Sequence, residues 1–291
     1  MLSNLEEKLK EKQYIITNTD LDGFFSAVAL KHIFPHLELG GFANSRDKIW
    51  FLDGVVNKQN SVYLDIFMSH KDILCIDNHI IAPNPTVTFN ENKINPNILR
   101  NRTLVNYYQK YPFGTFVWLI WLFGEKSFPY DFNMEIGDNV KLWELLLRAD
   151  DALTSTFIYS KNAQDWWNFL LKGNNNIVLK QMYEKLMVNV KDEATAQKIK
   201  LKVNNFLKNK FKNISNDGYK DIDIHRKDFI VFFNYLNDML GHILEYNNDI
   251  ISQKFIFERV KVTSNLDINT LGQNLVSWAF VSKDLISLTK K

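Results

Sequence analysis

Residues 13–30 read QYIITNTDLDGFFSAVAL. The run Tyr14-Ile15-Ile16 is too short for a helix and rich in β-formers, which predicts a buried strand. It gives way to Asp20-Leu21-Asp22-Gly23, after which Phe24, Ala27, Val28 and Leu30 recur at helical spacing. In a strand–turn–helix unit this turn lies at the carboxyl end of the strand, where open α/β sheets place their ligands. Two acids two residues apart, followed by a Gly that lets the backbone turn sharply, set hard oxygen donors at one spot. Asp and Gly are also ordinary turn residues, so the turn alone decides nothing.

Two later runs end the same way. Ser61-Val62-Tyr63-Leu64 ends at Asp65, and Ile73-Leu74-Cys75-Ile76 ends at Asp77-Asn78-His79. A buried strand that ends in Asp loses solvation energy unless a cation compensates the charge. Three such strands in one sheet would deliver Asp20, Asp22, Asp65, Asp77 and His79 to one edge. That donor set suits a divalent metal site with room for two ions.

The pattern Asp-x-Asp-Gly-x-x-Ser-Ala, then a lone strand-end Asp, then Asp-x-His resembles the DHH phosphoesterase superfamily. Its members include RecJ-like nucleases, oligoribonucleases, family II inorganic pyrophosphatases and cyclic-dinucleotide phosphodiesterases. With Gly after the second Asp, the chain is most similar to the RecJ and oligoribonuclease branch. The resemblance implies two divalent ions, Mn2+ or Mg2+. Asp20 would hold one ion and Asp22 the other, with Asp65 bridging them and Asp150 completing the second; Asp151 is the alternative to Asp150. Asn78 stands where the family has its middle His, which shifts preference toward Mg2+, because an amide oxygen is harder than imidazole. His79 matches the His that contacts the phosphate or leaving group, so His79 and Asp65 carry the expected catalysis. Asn18 occupies another position where relatives often carry a ligand.

The implied activity is metal-dependent hydrolysis of short oligonucleotides or a related nucleotide phosphodiester, with RNA, DNA and cyclic substrates all open. The alternative is a fold that kept its shape while the site decayed into a nucleotide-sensing or interaction module.

The rest of the chain sets bounds. With 291 residues, 46% hydrophobic and 14% aromatic, the chain is globular and long enough for two domains. A net charge of +2 gives no strong overall attraction to polyanions. The single Cys75 falls in a core strand, which excludes a disulfide framework. The charged N-terminus is no signal peptide, and the apolar run Phe116 to Phe123 is too short to span a bilayer. The expectation is a cytoplasmic protein without membrane contact, its oligomeric state open, with a homodimer among the options.

The expected class is α/β. Residues 1–160 form a mostly parallel sheet flanked by helices, resembling the family's metal-binding domain. Residues 161–216 form a helical connector, rich in Lys, that is either an amphipathic helix with a solvated face or a basic wall for a nucleic-acid strand. Residues 217–291 form a smaller α/β domain resembling the substrate-binding lid (DHHA1) of many relatives. Within it, Phe229 to Phe233 and Lys254 to Val262 read as strands, and Leu236 to Tyr246 and Asp267 to Phe280 as helices. The lid's Arg-Ser and triple-glycine motifs are replaced by Thr263-Ser264 and Gly272-Gln273-Asn274-Leu275. Thr86 to Phe89 reads as a further strand, and the eleven residues between Asp65 and Asp77 leave room only for a turn. Asn95-Pro96-Asn97 reads as a helix-breaking turn. Arg46 is a candidate phosphate contact or a surface charge, and Asp53-Gly54 an ordinary turn. Thr115, at the start of a buried helix, is either a phosphate contact or a cap.

Overall fold

The computed structural model describes residues 2–44, 48–52, 58–172, 176–245, 250–262 and 275–291. The chain divides into two compact units. One comprises Met1–Asn18, His36–Tyr111 and Tyr246–Lys291, the other Thr19–Pro35 and Pro112–Glu245.

The first unit holds the strands β1 (Tyr14–Asn18), β2 (Glu38–Ala43), β3 (Lys48–Leu52), β4 (Ser61–Leu64), β5 (Leu74–Ile76) and β6 (Lys93–Ile94), and, from the far end of the chain, β9 (Ile250–Lys254). They form one seven-stranded sheet in the order β6-β5-β4-β1-β2-β3-β9. From β6 to β2 every neighbour is parallel. At the other edge β3 and β9 are antiparallel. The α/β class and the mostly parallel sheet are thus as the sequence predicts. Near-continuous burial along β1, β4 and β5 is what a parallel sheet requires.

A second, antiparallel sheet in the same unit runs β10-β12-β11, from β10 (Ile256–Lys261), β11 (Leu275–Ser282) and β12 (Leu285–Lys290). One of its faces is apolar: Val276, Trp278, Phe280, Ile286 and Leu288 join Ile16, Tyr63, Phe67, Cys75 and Ile80 in a single core cluster. Trp278 fastens this face by donating its indole Nε1–H to the carbonyl of Ile81 at 2.9 Å. Cys75 is free and buried, and burial pushes its thiol up to about 11. The helices α1 (Leu2–Lys10) and α3 (Pro96–Leu99) complete the unit.

The second unit is mostly helical among the described residues: α2 (Leu21–Ile33), α4 (Thr115–Phe123), α5 (Leu142–Arg148), α6 (Ala152–Ile158), α7 (Ser160–Leu171), α8 (Ile177–Asn189), α9 (Glu193–Lys210) and α10 (Ile222–Met239). A small hairpin, β7 (Glu135–Gly137) with β8 (Val140–Lys141), interrupts them. Both α2 and α4 are apolar around most of their circumference and correspondingly buried.

Several local expectations are corrected. Phe229 to Phe233 is not a strand but part of α10, where Phe229, Phe232, Phe233 and Leu236 are buried at helical spacing and Asp221 caps the start. That helix ends at Met239, short of the expected Tyr246. Of the helix expected over Asp267 to Phe280, the described part, from Leu275, is strand β11; the rest lies outside the described residues, as do Thr263-Ser264, Gly272 to Asn274 and Asp53-Gly54. Thr86 to Phe89 forms no strand; Lys93–Ile94 takes the sheet edge beside β5. Asn95-Pro96 starts a helix, with Asn95 as its cap and Pro at the first position, where no N–H is needed. The Asp65 to Asp77 connection carries no helix, as its length predicts.

Candidate functional site

Sheet register builds the first part of the site. The last paired residues are Thr17 with Leu64 and Leu64 with Ile76. One step further along these parallel strands come Asn18, Asp65 and Asp77, side by side at the carboxyl edge. Asp65 N donates to Ile76 O at 2.9 Å, and Asp77 N to Ile94 O at 3.1 Å, so both backbones are fixed. Asp65 leaves the strand in the left-handed region at φ 59°, a conformation Asp tolerates better than most side chains.

Both carboxylates are 1% exposed. Asn18 Nδ2 donates to Asp65 Oδ2 at 3.0 Å. Asp77 Oδ1 accepts from His79 Nδ1 at 2.7 Å, while its Oδ2 accepts the His79 backbone N–H at 3.2 Å. That pairing fixes the imidazole plane. One oxygen or ring nitrogen from each of Asp65, Asp77 and His79 lies within 4.8 Å of the others. Ligands about 2.1 Å from one ion lie up to roughly 4.2 Å apart across it, so the span is close to that of a single small divalent cation.

Asn95 and Asn97, which the sequence reading treated only as turn formers, brace this corner. Asn95 Nδ2 donates to Asp77 Oδ2 at 3.3 Å and to His79 O at 2.9 Å. Asn97 Nδ2 donates to Asn78 O at 2.6 Å, and its Oδ1 accepts from Tyr111 N at 2.7 Å. Both residues are buried, as is Asn78. The signal for this role was the Asn-Pro-Asn triplet, a helix cap whose second Asn projects from the first turn.

Asp65 and His79 open onto a cleft of about 170 Å³, whose wall includes Phe67, Phe257, Arg259, Ser277, Ser287 and Thr289. These C-terminal residues were not among the sequence candidates, because pairing between β10, β11 and β12 is invisible to local patterns.

The other expected ligands lie in the second unit, each with partners of its own. Asp20 is the N-cap of α2, its Oδ1 accepting from Gly23 N at 3.0 Å. Burial, with Asp217 next in weight, holds its carboxyl well above the ordinary range. Gly218 packs so closely that a Cβ there would sit 2.5 Å from Asp20 Cα. Asp22 is fully buried and ties two helices together. Its oxygens accept from Thr115 N at 2.7 Å and Phe116 N at 3.0 Å, the first turn of α4. Gly114 makes this approach possible, since a Cβ would fall 2.5 Å from Asp22 Oδ1. Thr115 therefore commits its N–H to the cap.

Asp150 and Asp151 follow α5 with φ of 51° and 56°. Asp150 is exposed, whereas Asp151 pairs with Lys200 at 2.7 Å. Because α6 begins immediately after them, these acids also face a helix N-terminus, where the dipole favours negative charge. Asp217, absent from the sequence candidates, is raised to about 6 by burial, against the opposing pull of Arg148, whose Nη1 lies 3.8 Å away.

Four lysines of the lysine-rich segment, Lys185, Lys200, Lys202 and Lys210, are engaged within their own unit. Lys202 pairs with Glu144, Lys210 lies 4.0 Å from the Tyr235 ring centroid, and Lys185 donates to Asn133 at 2.6 Å. Those contacts favour a packed helical face over an open basic wall. Arg46 lies outside the described residues.

No family model, curated protein or solved structure matches the chain. Among the described residues no helix is long and apolar enough to cross a membrane.

Proposed function

We propose that the protein is a divalent-metal-dependent phosphodiesterase acting on short oligonucleotides or a related nucleotide phosphodiester. The observation that carries this reading is the trio Asp65, Asp77 and His79, with ligand atoms within 4.8 Å at the carboxyl ends of adjacent parallel strands. Two carboxylates and an imidazole suit Mg2+ or Mn2+. When bound, such ions acidify a water and polarise phosphoryl oxygens.

The residues of the chain have distinct roles in this reading. Asp65, held by Asn18, supplies a fixed carboxylate to the ion. Asp77 orients His79 through Nδ1, so that Nε2 can bind the ion or pass a proton at the leaving oxygen. Arg259 brings a cation to the same cleft, where it would meet substrate charge. Asp20, Asp22 and Asp150 enter as ligands through the motif resemblance.

A non-catalytic, nucleotide-sensing reading draws support from one feature: Asp20 and Asp22 already act as helix caps. Purified protein with Mg2+ or Mn2+, assayed on bis-p-nitrophenyl phosphate, short RNAs, cyclic dinucleotides and pyrophosphate, separates the two. Turnover of a phosphodiester that is lost on adding chelator supports the enzyme. Binding without turnover on any of these substrates supports the sensor.

A further inference from the structure

The two outer strands of the C-terminal sheet end differently. Beyond β11 the edge is covered: Ser69 N donates to Val276 O at 2.8 Å, and Phe280 N donates to Ile80 O at 2.9 Å. Beyond β10 no backbone group is bonded among the described residues, and the same holds for the outer side of β9, the last strand of the seven-stranded sheet. Phe255 alone separates these two strands, so residues 250–261 present one nearly continuous open edge.

This edge lacks most of the usual guards. Native edge strands are kept short, bent by bulges, interrupted by Pro or covered. The stretch IISQKFIFERVK contains no Pro, and its pairing with β3 and β12 runs without a register shift. Ile251 to Lys254 are exposed in succession, so both faces of β9 meet solvent. Ile251 and Ile256 leave 55% and 61% of their surfaces in water. Such a regular apolar edge is a template for another strand. Its remaining guards are charges, Lys254, Glu258, Arg259 and Lys261, and they decide which strand fits.

The charges fit a second copy of the chain. A two-fold axis normal to the sheet makes the pair antiparallel and keeps every side chain on its own face. Each residue must then lie opposite one an even number of positions away, so the axis falls on a residue. On Lys254, Glu258, Arg259 or Lys261 it would set like charges against each other, and on Val260 it would set Arg259 against Lys261. Within residues 250–261, only an axis on Ile256 brings opposite charges together: Lys254 then faces Glu258 of the other copy, at two symmetric places. The exposed Ile256 meets its own counterpart at the centre. Glu258 already holds Lys290 of its own sheet through Oε1, and a carboxylate has a second oxygen for the incoming ammonium.

We propose that the chain forms a two-fold homodimer by antiparallel pairing of residues 250–261 with the same residues of a second copy, centred on Ile256. The dimer does not depend on the hydrolytic reading. It turns the strand that carries Phe257 and Arg259 from an edge into an interior strand. A single strand pair buries little area, so the association depends on concentration.

Sedimentation velocity of the full-length protein, from about 1 to 200 µM, tests this. The mean mass should rise from one chain toward two across that range. Lys254→Glu and Glu258→Lys each set like charges opposite one another at both places, and each should weaken self-association about tenfold or more. Mixed in equal amounts, the two variants oppose acid to base at both places and should associate as tightly as wild type. Lys254 is exposed, so its variant should keep the wild-type melting curve. Ile256→Cys gives a second measurement. Directly opposite Cα atoms in an antiparallel pair lie about 4.5–5.5 Å apart, within disulfide reach, so mild oxidant should cross-link this variant. Wild type, whose Cys75 is buried, should stay uncrosslinked. A wild type that remains monomeric throughout, as an edge meant for a strand of another protein would, overturns the proposal. Unchanged self-association of Lys254→Glu, or two charge variants that fail to pair when mixed, would overturn it as well.

Discussion

In one unit Asp65 and Asp77 end adjacent parallel strands and face a histidine and two asparagine amides. In the other, Asp20 and Asp22 accept backbone N–H groups at the starts of helices. Both sets are acids placed by short motifs, but the donors that hold them differ in kind. A carboxylate that caps a helix is compensated by the helix dipole and by N–H donors. The strand-end carboxylates take their donors from side-chain amides and from His79 instead, and burial makes their charge costly. The two settings therefore predict opposite consequences when the acid is removed.

The largest expected effect is on Asp65. Asp65→Asn keeps a side chain that tolerates the left-handed φ of 59° and relieves repulsion with Asp77. The variant should melt no lower than wild type in the absence of metal, yet lose about a thousandfold in phosphodiester turnover, within the range for a positioned catalytic group. Near-wild-type turnover would remove Asp65 from the chemistry.

Asp22 should behave the other way. Asp22→Ala leaves the Thr115 and Phe116 N–H groups buried without their acceptor and should cost about 3 kcal/mol of stability, measured by urea unfolding. A cost below about 1 kcal/mol would show that the cap is not what keeps this acid, and would erase the contrast between the two units.

Much of this was legible from the residues. The strand Tyr14–Asn18, the turn at Asp20-Leu21-Asp22-Gly23 and the acids after β4 and β5 follow from apolar runs that stop at Asp. What could not be read is non-local. β9 joins the N-terminal sheet beside β3, and β11 packs against the Ile80–Ile81 segment, across some 200 positions of sequence. Such pairings depend on tertiary fit that no local window contains. Phe229 to Phe233 misled because an aromatic, β-branched cluster mimics a strand, although Asp221 as a cap and the spacing of Phe229, Phe232, Phe233 and Leu236 carried the helical signal. In the alternation Val276, Trp278, Phe280 against Ser277, Ala279, Val281, a period of two was present and outweighed the helix reading.

A smaller effect sharpens the comparison at Asn78. Imidazole is a softer donor than an amide, so Asn78→His should raise the ratio of Mn2+- to Mg2+-supported activity several-fold if residue 78 belongs to the metal shell. An unchanged ratio in a folded, metal-responsive variant would assign Asn78 to bracing alone, alongside the bond that Asn97 makes to its carbonyl.

The central claim is that Asp65, Asp77 and His79 hold a divalent ion, and thermal unfolding of chelator-stripped protein with and without added Mn2+ or Mg2+ tests it most directly. A ligand that binds only the folded chain stabilises it by roughly 2.7 kcal/mol at a hundred times its Kd, so the midpoint should rise by several degrees. The Asp65→Asn, His79→Gln double variant should melt at one temperature whether or not metal is present. No rise in wild type at millimolar metal, or an equal rise in the double variant, would contradict the account.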